Sequence, residues 1–296
     1  MTDTESLTVM PTPSDAQQAK PASAQIFAIA RQAQCDWATL SIEDRSASLA
    51  PLAKLIAAHV DEIADLIAAE NGKPRVEAIA HEVVAAVALA RHHCRVAPKV
   101  LRPTKVALPI QPHRSARIER RPHGVVLAIA PWNLPFIIPL SQVLPSLLAG
   151  NAVILKPSEL TPQAGELIAE LTTRCGLPAG LLQVVQGDGE VAAALIQGRP
   201  DKVLFTGSVA TGRKVMAACA EFPIPVSLEL GGVDAMIVRS DADLEFATSA
   251  AVWGATFNGG QACCSIERLI VHRSLHDRFV ARVADKMARV DRSREL

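Results

Sequence analysis

The chain has 296 residues, with 30 Lys+Arg against 30 Asp+Glu, 49% hydrophobic residues and 3% aromatics. A formal charge of zero withholds the field from which nucleic-acid and anionic-membrane binders draw much of their affinity, so neither is an expected partner. The cysteines at 35, 94, 175, 219, 263 and 264 form no metal spacing and no small disulfide scaffold. They fit a reducing, cytoplasmic compartment, where a cysteine matters for its reactivity.

Residues 1–22 are rich in Thr, Ser, Pro and Gln and lack the basic start and apolar core of a signal peptide, so they read as a disordered leader. Ser41 and Asp44 then resemble a capping box, and Leu49, Leu52, Ile56, Ile63 and Ile67 recur at helical spacing until Asn71-Gly72-Lys73-Pro74 stops the pattern. A second helix is expected over 75–94. After it, alternation at Ala116, Ile118 and Arg120 suggests a protruding hairpin within about 105–122.

From Gly124 onward, short apolar runs at 124–130, 152–155, 182–185, 202–205, 226–230 and 235–238 alternate with helical stretches. That alternation predicts βαβ units, a mostly parallel α/β sheet, and ligands at the carboxyl ends of its strands. The apolar stretch 125–148 is no membrane span, since Pro131, Asn133, Pro135, Pro139, Gln142 and Pro145 interrupt it. A helix over 242–256, a strand over 268–272 and an amphipathic helix over 275–290 complete the reading. The last helix meets neither a capping glycine nor a closing strand, as in a chain that stops in mid-domain.

Two motifs fail on inspection. His81-Glu82 begins like a zinc-protease helix, but Ala85 stands where the second ligand is needed. Gly207 and Gly212 have P-loop spacing, yet Arg213, Lys214 and Val215 follow in place of Lys-Ser/Thr. No metal site is expected.

The remaining polar features fall at or just after strand ends. The Gly207–Gly212 turn, with Ser208 in it, either holds a diphosphate on backbone N–H groups or is only a tight connection. Lys156 and Glu159 could bond sugar hydroxyls, or form a solvated strand end capped by Ser158 or Glu159. The Asn133 amide, after Trp132, could face a developing oxyanion or satisfy a turn. Glu229 interrupts an apolar run. It is either a desolvated carboxylate raised toward general-base range or a residue on a wet edge. Cys263, after Gly259-Gly260-Gln261-Ala262 whose glycines let the backbone approach a bound ligand closely, is either a nucleophile or a small apolar filler.

Taken together, Gly124-Val125-Val126 leading to Pro131-Trp132-Asn133, the run Gly150-Asn151-Ala152-Val153-Ile154-Leu155-Lys156-Pro157-Ser158-Glu159, Phe205-Thr206-Gly207-Ser208, Leu228-Glu229-Leu230-Gly231-Gly232 and Gly260-Gln261-Ala262-Cys263 resemble, in chain order over about residues 25–295, the aldehyde dehydrogenase superfamily. The resemblance implies a Rossmann-type parallel-sheet domain over 23–230 and a partial α/β catalytic domain over 231–296. It also implies NAD-dependent oxidation of a small-molecule aldehyde to a carboxylate, with NADP as a possible substitute.

On this resemblance Cys263 attacks the aldehyde, the Asn133 amide and the Cys263 N–H hold the oxyanion, and Glu229 activates the hydrolytic water. Trp132, Lys156, Ser158, Glu159, Gly207 and Ser208 contact the cofactor, and the Glu159 carboxylate, repelling a 2′-phosphate, favours NAD. Cys264 reads as a packing neighbour. Glu229 favours hydrolysis over acyl transfer to coenzyme A, the activity of a related subclass. Val233 departs from the polar residue common at its position and leaves substrate choice open. Complete members continue well past the point matching Leu296, so the chain resembles their first part, with impaired turnover. The competing expectation is a catalytically silent remnant that binds nucleotide or pairs with a full-length homologue; the partners implied are a second copy in a homo-oligomer or such a homologue.

Overall fold

The computed structural model describes residues 19–110 and 113–290. Most of the expected leader lies outside them. Residues 19–22, assigned above to that leader, instead open helix α1 (Ala19–Thr39).

The helical pattern over 41–71 is three helices, α2 (Ile42–Leu49), α3 (Leu52–Ala58) and α4 (Val60–Asn71). They share one apolar face on which Leu49, Leu52, Ile56, Ile63 and Ile67 are fully or almost fully buried. Ser41 is the N-cap of α2, its Oγ accepting the Asp44 N–H at 3.0 Å. Gly72 closes α4 in the left-handed conformation (φ 74°) that its missing Cβ permits. The next helix starts as α5 (Arg75–Glu77), passes through a π-helical turn (Ala78–Val83), and continues as α6 (Val84–Leu101), beyond the expected end at 94. The hairpin is β1 (Thr104–Val106) paired antiparallel with β2 (Ala116–Ile118), a two-stranded sheet of its own.

The main sheet follows as β3 (Val125–Ile129), α7 (Ile137–Leu148), β4 (Ala152–Lys156), α8 (Pro162–Thr173), β5 (Leu182–Val184), α9 (Gly189–Gln197), β6 (Lys202–Gly207), α10 (Val209–Ala220) and β7 (Val226–Leu230). All pairings are parallel and the order is β5-β4-β3-β6-β7. Every residue of β3 and β4 is buried, which explains their unbroken apolar runs. Each large aliphatic side chain there contributes about 1.5–3 kcal/mol by leaving water. Carbonyls at the end of α7 are taken by neighbouring helices: Trp37 Nε1 donates to Leu147 O at 2.8 Å and Arg45 Nε to Leu148 O at 2.9 Å.

A second, smaller assembly comprises β8 (Asp234–Val238), α11 (Leu244–Thr256), β9 (Ile266–Val271) and α12 (His276–Ala288), with β8 and β9 parallel. Its core is Val238, Leu244, Ala247, Ala251 and Phe279, separate from the large core beneath the main sheet. No helix among the described residues is long and apolar enough to cross a membrane.

Candidate functional site

The chain runs from β3 outward through β4 to β5, then returns to place β6 on the other side of β3. Strand order reverses between β3 and β6, and in an open parallel sheet that reversal leaves a crevice at the carboxyl ends. Trp132 and Asn133 follow β3, Gly207 and Ser208 end β6, and Lys156, Ser158 and Glu159 end β4. The sheet therefore gathers every cofactor-binding candidate along one edge.

Their environments differ. Lys156 is buried and donates from Nζ to Pro157 O (2.7 Å) and to Glu159 Oε2 (3.4 Å). Burial pulls its pKa below the usual lysine range, partly offset by the Glu159 carboxylate. Glu159 itself is half exposed (54%), so it can meet a ligand arriving from solvent. Ser158 is buried and its Oγ accepts the Leu160 N–H at 3.2 Å, a local turn contact. Ser208 is the N-cap of α10, accepting the Thr211 N–H at 3.1 Å. The positive end of that helix dipole thus lies beside the crevice. A Cβ on Gly207 would come within 2.7 Å of the Phe205 ring, so ring packing accounts for this glycine. Trp132 is 40% exposed at the rim.

The nucleophile candidate arrives from the second assembly. After α11 the chain makes a 3-10 turn (Phe257–Gly260) in which Asn258, Gly259 and Gly260 all have positive φ (58°, 64° and 75°). The glycines were expected to let the backbone approach a bound ligand closely. A Cβ would find no protein atom nearer than 3.9 Å at Gly259 or 3.5 Å at Gly260, and the left-handed backbone by itself favours glycine at both. Beyond this turn Cys263 and Cys264 are both exposed, which corrects the reading of Cys264 as a packing residue. Desolvation, with the neighbouring Cys264 next, pushes the Cys263 thiol pKa up.

Asn133 joins the two halves. Its Nδ2 donates to Gln261 O at 2.6 Å, two residues before Cys263. That is the only hydrogen bond from this amide found among the described residues, so its second N–H is available to a ligand oxygen. Glu229 takes the second of its two expected settings, the wet edge. It lies on β7, the edge strand, opposite Thr206, and is exposed, because alternation along an edge strand turns it to solvent instead of into an apolar core.

Three site-adjacent residues escaped the sequence reading: Lys73, Glu82 and Asn258 are buried beneath Asn133, with the Lys73 ammonium 2.6 Å from Glu82 Oε1 and 2.7 Å from Asn258 Oδ1. The available signal was a Lys in a chain-reversing turn and a Glu amid the apolar residues of a helix, each costly to bury unless paired.

The comparisons agree with this architecture. The sequence profile of the Aldehyde dehydrogenase family matches residues 8–295, and the chain belongs to that family. Among its relatives is a 4,4'-diapolycopene aldehyde oxidase of a Methylomonas species, 46% identical over 253 residues that make up 85% of this chain and 48% of the relative. An NAD+ complex of a Bacillus cereus aldehyde dehydrogenase superposes with a TM-score of 0.85 at 33% identity, covering 93% of this chain and 56% of that one. An E. coli NADP dependent enzyme does so with a TM-score of 0.85 at 32% identity, covering 92% and 56%. The chain spans about half the length of the curated relatives it matches.

Proposed function

We propose that the chain carries the nucleotide crevice and the nucleophile of an NAD(P)-linked oxidation of a small aldehyde to a carboxylate. The observation that carries this reading is the hydrogen bond from the Asn133 amide to the backbone of the loop bearing Cys263, at the rim of the switch-point crevice. Residues 23–230 form the nucleotide-binding unit and 231–296 contribute part of a catalytic unit, in a cytoplasmic protein that associates with a second copy or a longer homologue.

In this reading the Cys263 thiolate adds to the aldehyde carbon. The free Asn133 N–H and the Cys263 backbone N–H then stabilise the oxyanion that forms, offsetting charge where it develops. A bound nicotinamide supplies the hydride acceptor. The thioester left on Cys263 is hydrolysed by a water from which Glu229 takes a proton. Lys156 and Glu159 suit the hydroxyls of a ribose, and the capped N-terminus of α10 suits a diphosphate. The Glu159 carboxylate sets the preference for NAD, and it disfavours a 2′-phosphate by like-charge repulsion. The relatives include an NAD+ complex and an NADP dependent enzyme, and both cofactors fall within this reading.

A raised thiol pKa at Cys263 and an exposed Glu229 favour a second reading, in which the chain binds nucleotide without turning over. One experiment separates the two: NADH formation over aliphatic, aromatic and semialdehyde substrates, beside the melting temperature with NAD+, for the wild-type chain and Cys263→Ala. The primary reading expects NAD+ to raise the melting temperature of both and NADH to form only with Cys263 present. Stabilisation without NADH formation supports the second reading. No stabilisation by either NAD+ or NADP+ sinks both.

A further inference from the structure

Beneath Asn133 lies a polar cluster that the chemistry above does not use. The Lys73 ammonium, on the loop after α4, spends its three protons on Glu82 Oε1 (2.6 Å), Asn258 Oδ1 (2.7 Å) and Asn133 O (2.8 Å). Glu82, in the π-helical turn, gives its other oxygen to the Phe136 and Ile137 N–H groups (2.7 and 3.2 Å), where α7 begins. The Asn133 carbonyl also accepts from Asn258 Nδ2 (3.1 Å) and Asn71 Nδ2 (3.4 Å), and Gln261 Nε2 donates to Asn71 O (3.0 Å). The Lys73 and Glu82 side chains have no solvent exposure. His81, next to Glu82, packs its imidazole against the Phe257 ring, with centroids 4.0 Å apart and the planes tilted by 38°. Both ends of the 257–261 turn, together with the 133–137 segment, are thus tied to the one stretch 71–82.

A buried ion pair is a poor way to gain stability, because desolvation cancels most of its attraction and two apolar side chains would fill the same space. What apolar side chains cannot do is hold the Asn133 carbonyl from below while binding the turn that carries Cys263 from the side. The π-helical turn, a feature often found at functional sites, supports the same conclusion. We propose that Lys73, Glu82 and Asn258 are positioning residues, which lock the Asn133 backbone to the 257–261 turn and so fix the oxyanion-binding amide relative to the Cys263 sulfur. The inference rests on the aldehyde-oxidising reading for its catalytic meaning, but the geometry it asserts can be tested without turnover.

The test uses the full chain and iodoacetamide, with each cysteine followed by peptide mass spectrometry across a pH series. Two changes are compared with wild type. Lys73→Met/Glu82→Met removes both charges together, so no unpaired buried ion remains. Asn258→Gly keeps the left-handed backbone while deleting the amide. Releasing the turn raises Cys263 alkylation about tenfold in the double variant, the effect of losing the one charge-assisted bond that Lys73 makes to the turn at Asn258, and moves its pH profile toward that of an ordinary thiol. Cys94, Cys175 and Cys219, which are not in this turn, keep their wild-type rates.

Should the double variant expose those three cysteines as well, it has lost its fold and Asn258→Gly decides, with the same selective rise expected at Cys263. Unchanged Cys263 alkylation in a folded variant overturns the proposal. If the wild type oxidises an aldehyde, the same variants lower kcat by about 100-fold with KM for NAD+ unchanged, since a misplaced catalytic group affects the chemical step. A parallel loss in cofactor binding instead points to a general structural role and overturns the proposal. Absence of turnover in the wild type counts against the aldehyde-oxidising reading and leaves the alkylation result standing.

Discussion

The main sheet and the β8–β9 pair use strands of similar length and similar apolar content, yet they bury them very differently. All ten residues of β3 and β4 are buried, whereas in β8 and β9 only Val238 is. Helices α1, α7 and α9 all pack on β3, while β9 is covered by α11, with α12 packed behind it. Ile237, Phe246 and Trp253 remain more than 60% exposed in the smaller assembly. The difference teaches that an apolar strand is a request for cover, and that the number of covering layers decides how much it contributes. Under the proposed function it also implies a division of labour: the well-covered sheet would carry the nucleotide crevice, and the thinly covered assembly would deliver Cys263.

The comparison can be broken first at Phe279, the largest side chain of the five-residue core. Phe279→Ala is expected to cost about 3–5 kcal/mol through lost burial and the cavity left behind. Hydrogen exchange should then quicken in β8, β9, α11 and α12 while β3 and β4 keep their protection. Uniform quickening would mean that the two assemblies unfold as one.

A smaller effect is expected from pH. Hydrogen bonding by Lys286, more than desolvation opposes, holds the Glu245 carboxyl below its usual range. A carboxylate with a depressed folded pKa contributes above its unfolded pKa and loses that contribution as pH falls through the folded value. The α11–α12 contact should therefore loosen below the ordinary glutamate range, weakly because the pair is exposed and more weakly still in salt. Exchange in α12 that is insensitive to acid and to Glu245→Gln would remove this pair from the account.

The parallel sheet was legible because burial on both faces writes itself into sequence as unbroken apolar runs at β3 and β4. The cofactor-site candidates were legible as polar residues ending those runs. Glu229 was half legible: its run of apolar neighbours suggested burial, but edge position depends on strand order, which no local pattern encodes. The helical run over 41–71 kept its buried face although it breaks between α2, α3 and α4, since that face needs only periodicity. Lys73, Glu82 and Asn258 were hidden for a stronger reason. Lys73 and Asn258 are 185 residues apart, and each looks like a turn or surface residue until tertiary structure joins them.

The central claim, that the carboxyl edge of β3, β4 and β6 binds a dinucleotide, is tested most directly by hydrogen exchange of the whole chain with and without saturating NAD+. The account predicts new protection in 130–134, 157–160 and 207–212, with β8 little changed. Protection confined to other segments, or none at a concentration that stabilises the chain, would contradict it.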